Sequence, residues 1–264
     1  MIAFHKVSFT AAALLGLLAL APTAQALPVT KQVTIQSIRV CDNDGVTHCA
    51  SAVNYETFAD KIWAQAGIDF VFLPTLMWSS SGNNAYDYDS DGGVGLLTAG
   101  TAAFAPGANI LNMFFVNDLI ISSGTLYGFG CGAPVFAGDC GGQAGVVINS
   151  TAVDGYSAVG RLDTVAHEVG HVLGLGHSNF GAGNADNLMT AGSFRSVPQL
   201  IGDINPDGLG LSKLTADQIT EARSSAYATD IAVVPEPGSL ALVGLAFAGL
   251  GLVRRRVPVA AVAA

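Results

Sequence analysis

Four residues in one short segment have the types and the spacing of a metal site with its own base. His167 and His171 lie four residues apart, so on a helix both imidazoles share one face, and Glu168 projects beside them. His177 follows closely and can supply a third nitrogen ligand. Three protein ligands leave the fourth tetrahedral position of zinc to water, as in catalytic rather than structural sites. The segment therefore predicts Zn2+ bound by His167, His171 and His177.

Hydrolysis is the chemistry expected of such a site. Zinc lowers the pKa of its bound water toward about 7, and a neighbouring carboxylate takes the proton as that water attacks a polarised carbonyl. Glu168 has the position of this general base. Gly174 and Gly176 can take backbone angles that end the helix and return the chain toward the metal. Histidines of a core or of a solvated helix face are the alternative, which the number of matching positions disfavours.

The segment 167–177 resembles the extended zinc signature of the metzincin metallopeptidases, and Ser178 after it is similar to their matrixin branch. Metzincins also have a methionine in a tight turn beneath the metal, and Met189 matches that position. The resemblance implies a zincin catalytic domain of the α+β class, with a twisted mixed sheet, an active-site helix and a smaller C-terminal subdomain. Astacins and serralysins have a tyrosine where this chain has Ala191, so no tyrosine is assigned a role in the transition state.

Apolar patterns predict the elements that must position these residues. Alternating or continuous apolar runs predict strands at 32–40, 68–73, 108–116 and 145–149. Helices are predicted after Asn54, over 161–173 as the zinc helix, and after Thr215, where a capping box begins. Pro74 is expected to close the second strand. By the resemblance, strand 145–149 is the sheet edge that aligns a peptide substrate, with an ordinary interior strand as the alternative.

The cysteines and two Asp-rich segments indicate further stabilising elements. Cysteines 41 and 49, and cysteines 131 and 140, form two close pairs, which predict two short disulfide loops on proximity alone. Segments 87–92 and 203–208 imitate the first half of a calcium loop, but Thr98 and Leu214 replace the glutamate at the twelfth position. Surface turns are the favoured interpretation, and structural Ca2+ is the alternative.

Both ends of the chain differ in composition from the middle. Residues 1–26 combine a basic start, an apolar run and a small-residue cleavage site, which predicts a signal peptide and export. Residues 231–264 contain Val-Pro-Glu-Pro-Gly at 234–238, an apolar run at 239–253 and three arginines at 254–256. These resemble the PEP-CTERM sorting signal, which implies an exosortase-type partner and transient membrane attachment through a short transmembrane segment. A plain C-terminal anchor is the alternative.

Residues 27–230 are expected to form one catalytic domain. That part has seven Lys or Arg against nineteen Asp or Glu, a balance that argues against nucleic acid and anionic membranes as partners. The sequence therefore predicts a secreted or surface-sorted zinc metalloendopeptidase acting on protein or peptide, located at the cell surface or in the extracellular matrix. The alternative is a noncatalytic, metal-stabilised protein of the biofilm matrix. An intact Glu168 argues mildly against it, since a structural metal needs no adjacent base.

Overall fold

The computed structural model describes residues 27–132 and 140–231. The strands are β1 (Lys31–Cys41), β2 (Ile68–Ser79), β3 (Ala85–Asp87), β4 (Ile110–Val116), β5 (Asp118–Ile120), β6 (Gly128–Cys131), β7 (Gly145–Asn149) and β8 (Thr229–Asp230). The helices are α1 (Glu56–Trp63), α2 (Ser81–Asn84), α3 (Val94–Ala103), α4 (Ser150–Asp154), α5 (Thr164–Val172) and α6 (Ala216–Ser224). Short 3-10 turns cover Ala64–Ala66, Tyr88–Ser90 and Ile201–Asp203.

A mixed six-stranded sheet organises the molecule in the order β2-β1-β4-β7-β6, with β8 paired to β1. β2, β1, β4 and β7 run parallel, whereas β6 is antiparallel to β7 and β8 is antiparallel to β1. β3 and β5 form a separate small parallel pair. Helices α1 and α5 contact the sheet, and an irregular C-terminal part with α6 follows. This is the predicted α+β architecture.

Apolar residues cover both faces of the sheet. On one face Trp63 of α1 packs with Phe70 of β2 and Val169 of α5, and its indole N–H donates to the Ala166 carbonyl at 3.2 Å. On the other face α3 packs on Phe114 of β4. β4 is buried over nearly its whole length, as the apolar run at 108–116 predicts. The helix that contains the candidate metal ligands is therefore fixed to α1 as well as to the sheet.

The prediction that strand 145–149 forms the edge of the sheet is wrong. Strand 145–149 lies inside the sheet, between β4 and β6, so that both of its backbone edges are paired. The edge is formed instead by β6, which is part of the glycine-rich segment 124–142. Sequence analysis missed this strand because its glycines lack the β-branched and aromatic pattern by which strands are recognised.

Pro74 does not end β2, which continues beyond the predicted strand 68–73 to Ser79. The register of β2 with β1 shifts between Gln36 and Ile38, opposite this proline. The side-chain amide of Gln36 donates to the Pro74 carbonyl at 2.8 Å. β2 lies at the edge of the sheet, where a residue without an N–H is tolerated. The proline therefore marks an irregularity of an edge strand and not its end.

Two predicted helix starts also differ from the structure. Asn54 does not cap α1, because its side-chain oxygen accepts a hydrogen bond from the Ser37 hydroxyl at 2.9 Å and Tyr55 occupies the N-cap position. α5 begins at Thr164 rather than at residue 161. At α1 a tertiary contact uses the polar group that the sequence assigns to the helix start.

Both predicted disulfides are confirmed, Cys41 to Cys49 and Cys131 to Cys140. The first joins the end of β1 to the loop that follows it, and the second joins the end of β6 to the segment before β7. The predicted signal peptide and sorting signal lie outside the described residues. Within residues 27–132 and 140–231, no helix has the length and apolar character needed to span a bilayer.

The two Asp-rich segments are turns whose carboxylates have protein partners. Asp91 accepts hydrogen bonds from the Tyr86 hydroxyl and from two backbone N–H groups at the start of α3. Asp203 accepts two backbone N–H groups, and Asp207 pairs with Lys61 at 2.7 Å. In the described part of the chain, the only cluster of ligating side chains that could hold a metal is the histidine triad. The structure gives the calcium alternative no support.

The predicted capping box starts α6 and also holds a neighbouring turn. Thr215 Oγ1 accepts from the Gln218 N–H at 3.1 Å, and the Gln218 side-chain oxygen accepts from the Thr215 N–H at 2.9 Å. The buried Gln218 amide also exchanges two hydrogen bonds with the Asn187 amide, at 2.9 and 3.1 Å. Asn187 in turn accepts the Met189 N–H at 2.9 Å. One side chain therefore links α6 to the methionine turn.

Gln218→Ala is expected to lower the free energy of unfolding by about 1–3 kcal/mol, because the buried Asn187 amide loses its partner. Thr220→Ala, on the exposed side of the same helix, is the matched control and should change it by less than about 0.5 kcal/mol. Urea unfolding of the two variants measures both values. Equal effects would contradict the role given to Gln218.

Candidate metal centre and cleft

Three imidazoles converge at the C-terminal end of α5. The Nε2 atoms of His167 and His171 are 3.2 Å apart, and each lies 3.1 Å from the Nε2 atom of His177. A tetrahedral zinc ion with bonds of about 2.0–2.1 Å places its ligand atoms about 3.3 Å from one another. The spacing of the three nitrogens therefore fits a single small cation with three protein ligands.

Backbone carbonyls fix which nitrogen of each buried ring faces the centre. His171 Nδ1 lies 2.7 Å from the Leu175 carbonyl oxygen, and His167 Nδ1 lies 2.7 Å from that of Leu188. Because a carbonyl only accepts, we assign the ring proton of His171 to Nδ1, so that its Nε2 presents a lone pair to the centre. His167 Nδ1 also lies 2.7 Å from Arg195 Nη1, which only donates, so its contacts fix the direction of the ring but not the position of its proton.

The charge state of the triad suits a metal. Burial lowers the pKa of all three histidines, well below its usual value for His167 and to about 4 for His171. The rings are therefore neutral at physiological pH, which is the form that binds metals. No proton has to leave these rings before a cation binds.

A glycine turn carries the third histidine to the other two, as the sequence predicts. Gly174 follows α5 with φ of 97°, a left-handed conformation that disfavours side chains. The Leu175 N–H then donates to the Gly170 carbonyl at 3.0 Å, which closes the end of the helix. The chain reverses here, so that His177 faces α5 from outside and remains exposed to the cleft.

Glu168 lies beside the triad in a buried position. Its side chain is on the cleft wall, the residue is 6% exposed, and Oε2 is 4.0 Å from His171 Nε2. Burial raises the pKa of Glu168 to about 8. A divalent cation at the centre acts in the opposite direction, because an adjacent positive charge favours the carboxylate. The position is that of a base next to a metal.

Met189 lies beneath the centre, as the sequence predicts for the turn methionine. It is fully buried, and its sulfur occupies the space that a Cβ on Gly170 would need, 2.5 Å away. The preceding residue, Leu188, provides the carbonyl that orients His167. The methionine turn therefore packs against the floor of the site and positions one of its rings, without offering a ligand.

Glycines at alternate positions allow β6 to lie directly against α5. Gly128, Gly130 and Gly132 share one face of the extended chain. A Cβ at Gly130 would collide with the Glu168 backbone carbonyl, and one at Gly132 would collide with that of Val172. At Gly128 a Cβ would lie 3.1 Å from Glu168 Cγ. This segment sets the distance between the edge strand and Glu168.

Sequence analysis did not identify the buried ion pair next to the triad. Arg195 Nε and Nη2 donate to the Asp163 carboxylate at 2.8 and 3.3 Å, and Nη1 donates to the Thr190 carbonyl at 2.9 Å. Nη1 is also 2.7 Å from His167 Nδ1. Both charged side chains are at most 1% exposed. The scarcity of basic residues is the only sequence signal that could have drawn attention to Arg195.

A cleft of about 970 Å³ opens in front of Glu168 and the triad. Residues 125–131, which include β6, form one part of its wall. Residues 176–179 and 192–193 form another part. Tyr127, Tyr156 and Arg161 also line the cleft. The candidate metal centre, a buried carboxylate and a strand edge that is unpaired among the described residues therefore lie along one groove, which suits hydrolysis of an extended chain.

Family comparisons agree with this arrangement. Residues 101–178 match the reprolysin-like model of metallopeptidase family M12B, and the match ends one residue after His177. Residues 233–256 match the PEP-CTERM protein-sorting motif. These matches confirm the resemblance to a zinc metallopeptidase with a PEP-CTERM sorting signal. No curated protein matches the chain significantly.

The solved structures that match the chain are distant in sequence. A zinc-dependent peptidase from Methanocorpusculum labreanum has 12% identity and a TM-score of 0.39 over 72% of this chain and 99% of its own. Archaemetzincin from Archaeoglobus fulgidus, complexed with malonate, has 14% identity and a TM-score of 0.37 over 72% and 99%. Metalloproteinase-II from Bacteroides fragilis has 16% identity and a TM-score of 0.35 over 64% and 51%.

Asp163→Asn is expected to lower the free energy of unfolding by about 3–5 kcal/mol, because it leaves the Arg195 guanidinium buried without a counter-charge. Asp186→Asn removes one partner of the exposed Lys213 pair and should change it by at most about 1 kcal/mol. Denaturant unfolding measures both. A loss at Asp163 no larger than at Asp186 would show that the buried pair adds nothing.

Proposed function

We propose that this chain is an exported zinc-dependent endopeptidase in which His167, His171 and His177 hold the metal and Glu168 is the general base. The observation that supports the proposal most directly is the convergence of three Nε2 atoms within 3.2 Å. The match of residues 101–178 to a metallopeptidase family supports the reaction class. The groove along the edge of β6 supports endopeptidase action, because an extended chain can pass through it.

Zinc, when bound, supplies Lewis-acid polarisation of the substrate carbonyl and a lowered pKa for an attacking water. Glu168 takes the proton of that water on its carboxylate, which lies at the edge of the triad. The same carboxyl then delivers the proton to the departing amine nitrogen. Burial favours the protonated form that this second step needs. The histidines stay neutral throughout, with His167 and His171 oriented by their carbonyl partners.

β6 aligns the substrate in this proposal. Among the described residues its outer edge is not paired to another strand of the sheet, and residues 128–131 line the cleft beside Glu168. An extended peptide can add there as a further strand through backbone hydrogen bonds, with its carbonyl presented to the metal centre. Because α5 packs directly on β6, a peptide added to this edge lies next to the base.

The motifs in the C-terminal part of the chain support a proposal for how the protein is sorted and where it is located. The PEP-CTERM match at 233–256 supports export and processing by an exosortase-type enzyme. We propose a transient membrane attachment through the apolar run at 239–253, followed by retention at the cell surface or in the extracellular matrix. The same motif supports the alternative of a noncatalytic matrix protein, which would need the metal for stability but not Glu168.

The purified full chain is expected to bind one zinc ion. Loss of an outer-shell partner weakens metal binding by about 10–100-fold, and His171→Ala, which removes a ligand, should weaken it by more. His48→Ala is the matched control, since His48 is exposed and pairs with Asp42 outside the triad. Zinc content by mass spectrometry and competition with a chelator measure the two affinities. Full zinc occupancy in His171→Ala would refute the ligand assignment.

Glu168→Gln should keep the zinc and lower cleavage of an unfolded protein by about 10²–10⁴-fold, because the amide cannot accept the proton. Glu56→Gln, at the exposed start of α1, should cleave at the unchanged rate. A chelator should abolish cleavage by the unchanged protein. Cleavage by Glu168→Gln at the same rate would exclude Glu168 as base. Bound zinc without any cleavage of unfolded protein would favour the matrix-protein alternative.

A further inference from the structure

Arg161 is a buried cation that the mechanism does not use. It is 3% exposed, and the structure gives its guanidinium one hydrogen bond, from Nη2 to the Gly192 carbonyl at 3.2 Å. Its Nε is buried and has no hydrogen-bond partner. Among the described residues no carboxylate forms an ion pair with it, whereas Arg195 nearby is fully paired with Asp163. In the described part of the chain, one of the two buried arginines therefore has no ion-pair partner.

Aromatic rings hold this guanidinium without neutralising it. Its carbon lies 4.3 Å from the ring centre of Tyr127 and 5.3 Å from that of Tyr156. Such stacking fixes the plane of the group and leaves its N–H edge free for a planar partner. Burial lowers the pKa of Arg161, with the charge of Arg195 acting in the same direction. An anion that reaches a buried charge of this kind stabilises it further, because it provides the ion pair and the charge-assisted hydrogen bonds that the rings do not supply.

The open side of Arg161 faces the groove. Arg161 and both tyrosines line the same cleft as Glu168. Gly192 leaves the space in front of the guanidinium free, because a Cβ there would lie 3.3 Å from both terminal nitrogens. An anion entering from the cleft therefore meets a cation that is already oriented.

The strand edge determines which part of a substrate reaches this end of the cleft. Tyr127 immediately precedes β6, so Arg161 lies near the N-terminal end of that strand. Antiparallel pairing is slightly more stable per residue than parallel pairing. A peptide added antiparallel to β6 runs from Cys131 toward Gly128, and its C-terminal part passes Tyr127. Residues after the scissile bond then lie beside Arg161.

We propose that Arg161 binds a substrate carboxylate on the C-terminal side of the scissile bond and thereby makes the enzyme select acidic peptides at that position. The inference rests on the proposed function, since it concerns the specificity of the same site. A planar carboxylate matches the fork of N–H donors that the guanidinium presents. Two sources provide this group, an Asp or Glu side chain within the peptide or the C-terminal carboxylate of a short peptide.

Paired synthetic decapeptides with blocked ends test the first source. For peptides that differ only by Glu or Gln just after the cleaved bond, the purified full chain should show a kcat/KM ratio of about 10 or more in favour of Glu. In Arg161→Met the ratio should fall to about 1, and Arg161→Glu should prefer Lys to Glu. The ratio is taken within each variant, so that a change in overall activity does not affect it.

A second pair of peptides, with a free C-terminal carboxylate or a carboxamide, tests the other source in the same way. Arg223→Met is the matched control, because Arg223 is also part-buried and bonds only to Ala66 and Thr30. It should retain the preference of the unchanged protein. Zinc content and thermal unfolding of every variant identify those that fail to fold.

Binding provides a readout that does not need turnover. Fluorescence anisotropy of the same labelled peptides with the full chain carrying Glu168→Gln should show the same preference for the carboxylate. No preference in either pair, by cleavage or by binding, would overturn the inference and leave Arg161 as a support between Tyr127, Tyr156 and Gly192. A preference in binding without cleavage by the unchanged protein would instead refute the proposed function while the carboxylate site stands.

Discussion

The structure depends on three imidazole nitrogens that point at one spot. Two of the rings are held by carbonyl oxygens 2.7 Å from Nδ1, so their Nε2 atoms stay directed at the centre. The surrounding elements serve this constraint. The turn at Gly174 brings the third ring, the methionine turn provides one of the carbonyls, and α6 holds that turn through a pair of buried amides.

The two buried arginines show how the same side chain can have opposite roles. Arg195 is neutralised by Asp163 and fastens the segment after the methionine turn to the start of α5. Arg161 is held by tyrosine rings and one carbonyl, and none of these carries a negative charge. In a domain with a large excess of acidic residues, a buried cation left without a partner at the cleft is better explained by an incoming ligand than by stability.

Local patterns accounted for much of the fold. The spacing of apolar residues located β1, β4 and α1, and the capping box located α6, to within a few residues, because that spacing indicates which face of each element is buried. The cysteine pairs were also predicted, since short loops favour neighbouring partners. The errors fell where a tertiary contact overrides a local signal: Asn54 bonds to Ser37, and β2 passes through Pro74 at the sheet edge.

The sequence by itself determined the types of the candidate ligands and base, their helical spacing and the glycine that lets the chain return, because these depend on the periodicity of one helix and the turn after it. Only the tertiary structure decided that β6 is the edge strand, that alternate glycines bring it against α5, and that Arg161 faces the cleft unpaired. These features arise between segments far apart in the chain. Neither a strand of glycines nor an isolated arginine has a local pattern that reveals its neighbours.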